Sequence, residues 1–287
     1  MRVGDGSLTD SDKEAADTLC TYFHKVFTSD DAQSMILNEP NQVELSITFD
    51  THVVLLKLQQ LKADRSPGPD GIHPAVLKHC ADAVSIPLSM IFQTCYSTGC
   101  VPTDWRLANI TLLFKKGAKS DPSNYRPVSL TSVVCKLMES IIRDVLVTAL
   151  KDKFSCSQHG FMKYRSCLTN ILESLEAWTK ALDEGYGIDM IYLDSRKAFD
   201  TVSHPRLIEK LKVYGISGKL LQWIKNFLYS RKMRVRVRNS FFLNGSLYSS
   251  GVPQLGSVLG PLLFLFVNDL PDWIRNSIRM FADDTKI

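Results

Sequence analysis

Two adjacent carboxylates stand at the end of an apolar run in Ile278-Arg279-Met280-Phe281-Ala282-Asp283-Asp284. Like charges side by side repel, so a folded chain keeps such a pair where solvent, a cation, or a polyanion held by cations offsets the repulsion. An exposed turn meets that condition with water alone. A second apolar run, Ile188-Asp189-Met190-Ile191-Tyr192-Leu193-Asp194, also ends in a carboxylate. Hard divalent cations that activate a hydroxyl for attack on phosphate take such oxygen ligands from separate segments, around two ions about 3.5–4 Å apart. With the two strands side by side in one sheet, Asp194 and Asp283 would share the ions.

The elements that must position these residues follow from periodicity and punctuation. The spacing predicts helices over 11–26, 51–61, 74–98, 132–150, 169–184, 206–214, 219–229 and 260–268. It predicts strands over 108–114, 188–194, 232–238, 241–248 and 278–282, with an extended segment from Asn124 to Leu130. Ser66-Pro67-Gly68-Pro69-Asp70-Gly71 reads as a loop, because its prolines and glycines exclude either regular element. Strands and helices intersperse without regular βαβ alternation, which favours an α+β fold. Residues 1–50 read as an N-terminal helix and an acidic connector, and residues 51–287 as the main domain.

Bulk properties exclude several classes. With 287 residues and 45% apolar content, the chain can bury a sizeable core. Its longest apolar run, Val258 to Val267, contains Gly260 and Pro261 and is too short for a membrane span. The start, Met1-Arg2-Val3-Gly4-Asp5-Gly6, lacks the apolar core of a signal peptide, so an intracellular protein of nucleus or cytoplasm is expected, not secreted. Seven cysteines without a Cys-x-x-Cys pair argue against a disulfide framework or zinc finger, and the six histidines show no i, i+4 pairing. The net charge is +4, unevenly spread: residues 1–60 hold ten acids against four Lys/Arg, whereas Arg206 to Arg238 hold ten Lys/Arg against Glu209. Within the latter, Arg231, Lys232, Arg234, Arg236 and Arg238 are expected to contact a phosphate backbone. Period-2 alternation would put cations on one strand face while Val235 and Val237 point to the core.

Leu193-Asp194 with Lys197-Ala198-Phe199-Asp200, then Ser250-Gly251-Val252-Pro253-Gln254 with Gly256 to Phe264, then Phe281-Ala282-Asp283-Asp284 resemble three successive palm motifs of reverse transcriptases, closest to the non-LTR (LINE-type) retrotransposon kind. Ser66 to Ile72, Phe114-Lys115-Lys116-Gly117, Asn124 to Leu130, and Gln158-His159-Gly160-Phe161-Met162-Lys163 with Arg165-Ser166 extend the resemblance from about Leu55 to the last residue, in the family's order. The resemblance implies a right-hand fold of fingers and palm. It also implies an RNA-directed DNA polymerase adding dNTPs to a primer 3′-hydroxyl, with an RNA template, a DNA primer and two Mg²⁺ ions (Mn²⁺ an alternative) as partners and cofactors. No membrane partner is expected, and protein partners are not legible. Asp194, Asp283 and Asp284 match the metal-binding catalytic carboxylates, and Phe199 the aromatic gate that excludes a 2′-hydroxyl. Lys115 and Arg126 match finger cations that clamp the triphosphate, with Lys116 able to exchange roles with Lys115. Gln254 matches the palm residue near the nucleotide sugar, and Lys163 with Arg165 a segment near template RNA.

The chain departs from that pattern in places. Leu255 stands between Gln254 and Gly256, where the family has Gln directly before Gly; Ser195-Arg196 replaces a common Phe-Ser; Tyr164 stands where glycine is typical. Only Thr285, Lys286 and Ile287 follow Asp284, which is expected to be too few for a robust partner strand. A C-terminally truncated domain with its thumb missing and no endonuclease domain before it is therefore expected, with impaired polymerase activity. The alternative is an inactive retrotransposon remnant that at most binds nucleic acid.

Overall fold

The computed structural model describes residues 1–2, 7–27, 45–195, 197–238, 240–247, 250–252 and 265–287. Polar caps start the helices where Ser or Asp precedes apolar periodicity. Ser11 opens α1 (Asp12–His24) and Asp50 opens α2 (Thr51–Gln59), each side chain accepting an N–H that the first turn leaves unpaired. Then follow α3 (Pro74–His79), α4 (Ala81–Thr98), β1 (Leu107–Phe114) and β2 (Tyr125–Leu130). Ser132 caps α5 (Val133–Ala149), and Ser166 forms a capping box with Thr169 at the start of α6 (Cys167–Asp183). The remainder is β3 (Tyr192–Leu193), α7 (Ala198–Thr201), α8 (His204–Val213), α9 (Gly218–Leu228), β4 (Lys232–Val237), β5 (Ser240–Leu247), β6 (Arg279–Phe281) and β7 (Asp284–Lys286). The mixture is α+β, as its irregular alternation implies. Helix α8 starts at His204, earlier than its apolar period, because Ser203 caps it and Pro205 suits the first turn.

Two small sheets organise the described residues. The first has the order β2-β1-β4-β5, with β1 and β4 parallel and the outer pairs antiparallel. The second is antiparallel, in the order β3-β7-β6. Here one expectation is corrected, and the condition that the two strands be neighbours is not met. The residues from Asp284 to Lys286 do form a strand, and it is the central one. The strands carrying Asp194 and Asp283 are therefore not neighbours, since β7 lies between them. Pairing on both sides makes so short a strand viable, and Ile287 adds two backbone bonds to Ile191, at 2.9 and 3.0 Å.

The main core is helical. Val54, Leu58, Phe92, Met138, Ile142, Leu211, Trp223 and Phe227 all pack in it. Ile47 and Phe49 join this core, so the expected polar connector ends in buried residues; 28–44 lie outside the described residues. A second core lies between α1 and one face of the four-stranded sheet, where Ala16, Leu19, Cys20 and Phe23 meet Ala108, Ile110, Met233 and Val235. Burial of a Leu- or Val-sized side chain contributes about 1.5–3 kcal/mol, which fastens the N-terminal helix to the sheet. All seven cysteines are free. No helix among the described residues is long and apolar enough to cross a membrane.

Two buried imidazoles, His159 and His204, have lowered pKa values, chiefly from burial, and make stability depend on pH with the same sign. His204 is buried; its Nε2 lies 2.6 Å from the Gly251 carbonyl, and its Nδ1 has no partner. Burial lowers its pKa, the Gly251 carbonyl opposes that, and the Arg231 charge lowers it further. The unfolded chain therefore takes up a proton, near the ordinary imidazole value of about 6.5, that the folded chain refuses. Stability is full above that pH and is lost as pH falls below it. Thermal melts are expected to show a lower midpoint at pH 5.5 than at pH 7.5, and a smaller drop in His204→Gln. That comparison separates the imidazole from Asp200 and Asp283, whose raised carboxyls have linkage of opposite sign.

Candidate active site

The short strand β3 delivers Asp194 at its C-terminal end. Register pairs Tyr192 with Lys286 and Leu193 with Thr285, so its continuation sets Asp194 across from Asp284. Strands β6 and β7 form a hairpin whose two loop residues are Ala282 and Asp283, flanked by the pair Phe281 and Asp284. Ala282 has φ +60°, a left-handed conformation that an L-residue adopts at a cost of about 1 kcal/mol or more. The turn lifts Asp283 to the tip of the sheet, beside the end of β3. Burial raises the Asp283 carboxyl above its ordinary value; a backbone hydrogen bond opposes this, and the charges of Asp284 and Asp194 raise it further. Asp283 therefore stands where the charges of both Asp284 and Asp194 reach it.

Among the described residues, no group of three or more His, Cys, Asp or Glu side chains gathers at metal-ligand spacing. A hard cation of the Mg²⁺ type does not need such a cage, because it is held by one or two carboxylates with water and substrate phosphates completing the shell. The all-oxygen donors of Asp194, Asp283 and Asp284, with the charges of Asp284 and Asp194 reaching Asp283, fit that kind of ion.

Next in the chain after Asp194 comes α7. Its Phe199 is half-buried and packs against the main core. Asp200 is half-buried, and burial raises its carboxyl, while the Lys197 and Lys115 charges pull it down. Of the pair Lys115 and Lys116, it is the Lys115 charge that reaches Asp200. Asp200 is a group that the motif reading passed over; its burial is not visible in residue type. Residues 250–252 are bound to the same helix: Ser250 Oγ donates to the Asp200 carbonyl at 2.8 Å, and the N–H groups of Gly251 and Val252 donate to Val202 and Phe199 at 2.8 and 2.7 Å. Gln254 and Leu255 lie outside the described residues, as do Arg196 and the first half of the helix expected over 260–268.

The four-stranded sheet carries the basic residues. Arg126 pairs with Leu113, and Arg234 with Asn109, which puts both cations on one face, opposite the one that α1 covers. Lys232 and Arg236 follow by the period of two and are exposed. The alternation is as expected, with Met233 and Val235 buried between them. Arg231 corrects the expectation of phosphate contact. It is 1% exposed, lies over the Phe227 ring at 4.5 Å and donates to the Phe227 carbonyl at 3.2 Å. A cation at the end of α9 is drawn inward by unpaired carbonyls and the negative end of the helix dipole. Arg234 is engaged as well, donating to Asn109 Oδ1 and, at 3.3 Å, to the Pro69 carbonyl. Arg238 meets Asp12 at 3.3 Å, across to α1.

Lys163 is exposed and sits 4.8 Å over the ring of Tyr164. Tyr164 has φ +64°, the conformation that glycine adopts freely, so the backbone keeps what the residue type departs from. Arg165 is turned inward, donating to the carbonyls of Cys156 and Gln158 at 2.5 and 2.6 Å. The same segment places Gln158 and Gly160 directly behind the Ala282-Asp283 turn. Their motif, Gln-His-Gly-Phe, was the available signal, but its spacing says nothing of what it touches.

Comparison with known proteins shows what the chain is similar to. Residues 114–287 match the family model described as reverse transcriptase (RNA-dependent DNA polymerase). The chain is 29% identical, over 94% of its length, to a probable RNA-directed DNA polymerase from transposon BS of Drosophila melanogaster. It is 30% identical over 88% of its length to the RNA-directed DNA polymerase from mobile element jockey of the same organism, and 28% identical over 71% to a Pol polyprotein of the type-1 element R2 of Popillia japonica. It covers 31%, 28% and 28% of those proteins, so it spans less than a third of each. With the match extending over more than half of its residues, the chain belongs to the reverse transcriptase family, of the non-LTR retrotransposon kind.

Proposed function

We propose that this chain is the fingers-and-palm part of an RNA-directed DNA polymerase, with the four-stranded sheet in the fingers and the three-stranded sheet in the palm. What supports the reading is the strand register, which sets the end of β3, where Asp194 stands, across β7 from the turn that bears Asp283 and Asp284. In this reading Asp194 and Asp283 hold two divalent cations and Asp284 adds charge beside them. Mg²⁺ bound there would lower the pKa of a primer 3′-hydroxyl and neutralise the triphosphate and the leaving pyrophosphate. Phe199 would lie under the sugar and exclude a 2′-hydroxyl. Lys115 and Arg126 would meet the triphosphate, Lys as a point charge and Arg as a planar fork. The exposed Lys232 and Arg236 would follow a phosphate backbone, as Lys163 would beside the template.

Purified chain with an RNA template, an annealed DNA primer, dNTPs and Mg²⁺ is expected to extend the primer, and EDTA to abolish extension. Absence of extension under Mg²⁺ or Mn²⁺, with salt-sensitive binding of the primer–template retained, would replace this reading with that of a nucleic-acid-binding remnant.

A further inference from the structure

We propose that Gln158 and Gly160 are positioning residues that hold the Ala282-Asp283 turn, and so set where the Asp283 carboxylate stands; the catalytic meaning of that position rests on the polymerase reading. Gln158 is 1% exposed, and its terminal amide brackets one residue of the turn. Oε1 accepts from the Ala282 N–H at 2.9 Å, and Nε2 donates to the Ala282 carbonyl at 3.1 Å. Oε1 also accepts from the Gly160 N–H at 2.8 Å, which fixes the amide from behind. The side chain thus acts as a one-residue strand partner for a residue of left-handed φ, at the place where the hairpin's own ladder stops.

Surrounding bonds hold the same joint. His159 N–H donates to the Met280 carbonyl and Met280 N–H to the Ser157 carbonyl, both at 2.8 Å, and Asn170 Nδ2 reaches the Met280 carbonyl at 3.1 Å. Arg165, bound to the carbonyls of Cys156 and Gln158, fastens the segment from the other side. Gly160 makes the approach possible, because a β-carbon there would run into the Ala282 amide nitrogen and lie 3.0 Å from Ala282 Cα and from Gln158 Oε1. The chemistry demands Gln: one planar group must offer a donor and an acceptor side by side. Glutamate keeps the shape but at neutral pH donates nothing, and methionine keeps the length but offers neither.

The test compares Gln158→Met, Gln158→Glu and the parent by three readouts, with thermal melts as the check on folding. Amide exchange of the peptide containing residues 278–287 is expected to quicken at least tenfold in both variants. The Mn²⁺ affinity of the chain, read by water-proton relaxation, is expected to weaken at least fivefold. The rate constant of primer extension at saturating dNTP is expected to fall at least tenfold, with the dNTP KM within threefold of the parent. Parent-like exchange in a folded Gln158→Met chain overturns the clamp. Quickened exchange with unaltered Mn²⁺ affinity and extension overturns its positioning role. A parent that neither extends primers nor binds Mn²⁺ through Asp194 and Asp283 overturns the polymerase reading and the positioning role with it, and exchange then decides the clamp alone.

Discussion

Primer extension by Asp194→Asn and by Asp283→Asn is expected to fall by about three orders of magnitude each, because a carboxylate that holds a catalytic cation supports several kcal/mol of transition-state stabilisation, at about 1.4 kcal/mol per decade of rate. Asparagine keeps the volume and one acceptor oxygen while removing the charge, so the loss reports on the cation. Stability is expected to move the other way. Asp194 and Asp284 are exposed and each raises the Asp283 carboxyl, so neutralising one of them relieves repulsion and should leave the melting midpoint equal to the parent's or slightly above it. The Asp283 carboxyl should then titrate closer to its ordinary value, which carboxyl-carbon NMR reads directly. Parent-level extension by Asp194→Asn would sink the catalytic assignment, and a collapsed melt would show that the carboxylate serves the fold instead.

The second large effect is expected at Gly251. Its φ is +83°, and a β-carbon there would stand 2.7 Å from the Asp200 carbonyl oxygen and 2.9 Å from both Asp200 Cα and the Phe199 carbonyl oxygen. All these obstacles are backbone, so none swings aside. Left-handed strain of about 1 kcal/mol adds to overpacking of about 1–3 kcal/mol, and Gly251→Ala is expected to destabilise the chain by about 3 kcal/mol. Gly71 provides the contrast: its φ is +71°, but a β-carbon there meets nothing within 4 Å. Gly71→Ala should therefore cost about 1 kcal/mol, the strain alone. Denaturant melts that place the two substitutions within experimental error of each other would refute the clash. The displaced backbone is that of Phe199 and Asp200, so Gly251→Ala should also weaken discrimination between dNTPs and rNTPs.

Residues whose meaning is local behave as short-range rules demand. Ser11, Asp50, Ser132 and Ser166 are helix caps because a side-chain oxygen answers an N–H two or three residues away. Met233 and Val235 are buried and Lys232 and Arg236 exposed because a strand turns its side chains over at every step. Arg231, one residue outside β4, escapes that rule, since the end of α9 decides its direction. Arg234 obeys it and is still committed elsewhere, because Pro69 lies 165 residues away in the chain.

By itself, the sequence determined the α+β class, most of the helices, the family, and the presence of carboxylates at the ends of two apolar runs. These follow from residue type and short-range period. Only the tertiary structure decided that β7 lies between the strands bearing Asp194 and Asp283, that Lys115 acts on Asp200, and that Gln158 holds a turn 124 residues further along. Spacing along the chain has no memory over such distances. Which backbone groups meet there is settled by strand pairing and by the need to satisfy every buried N–H and carbonyl at once.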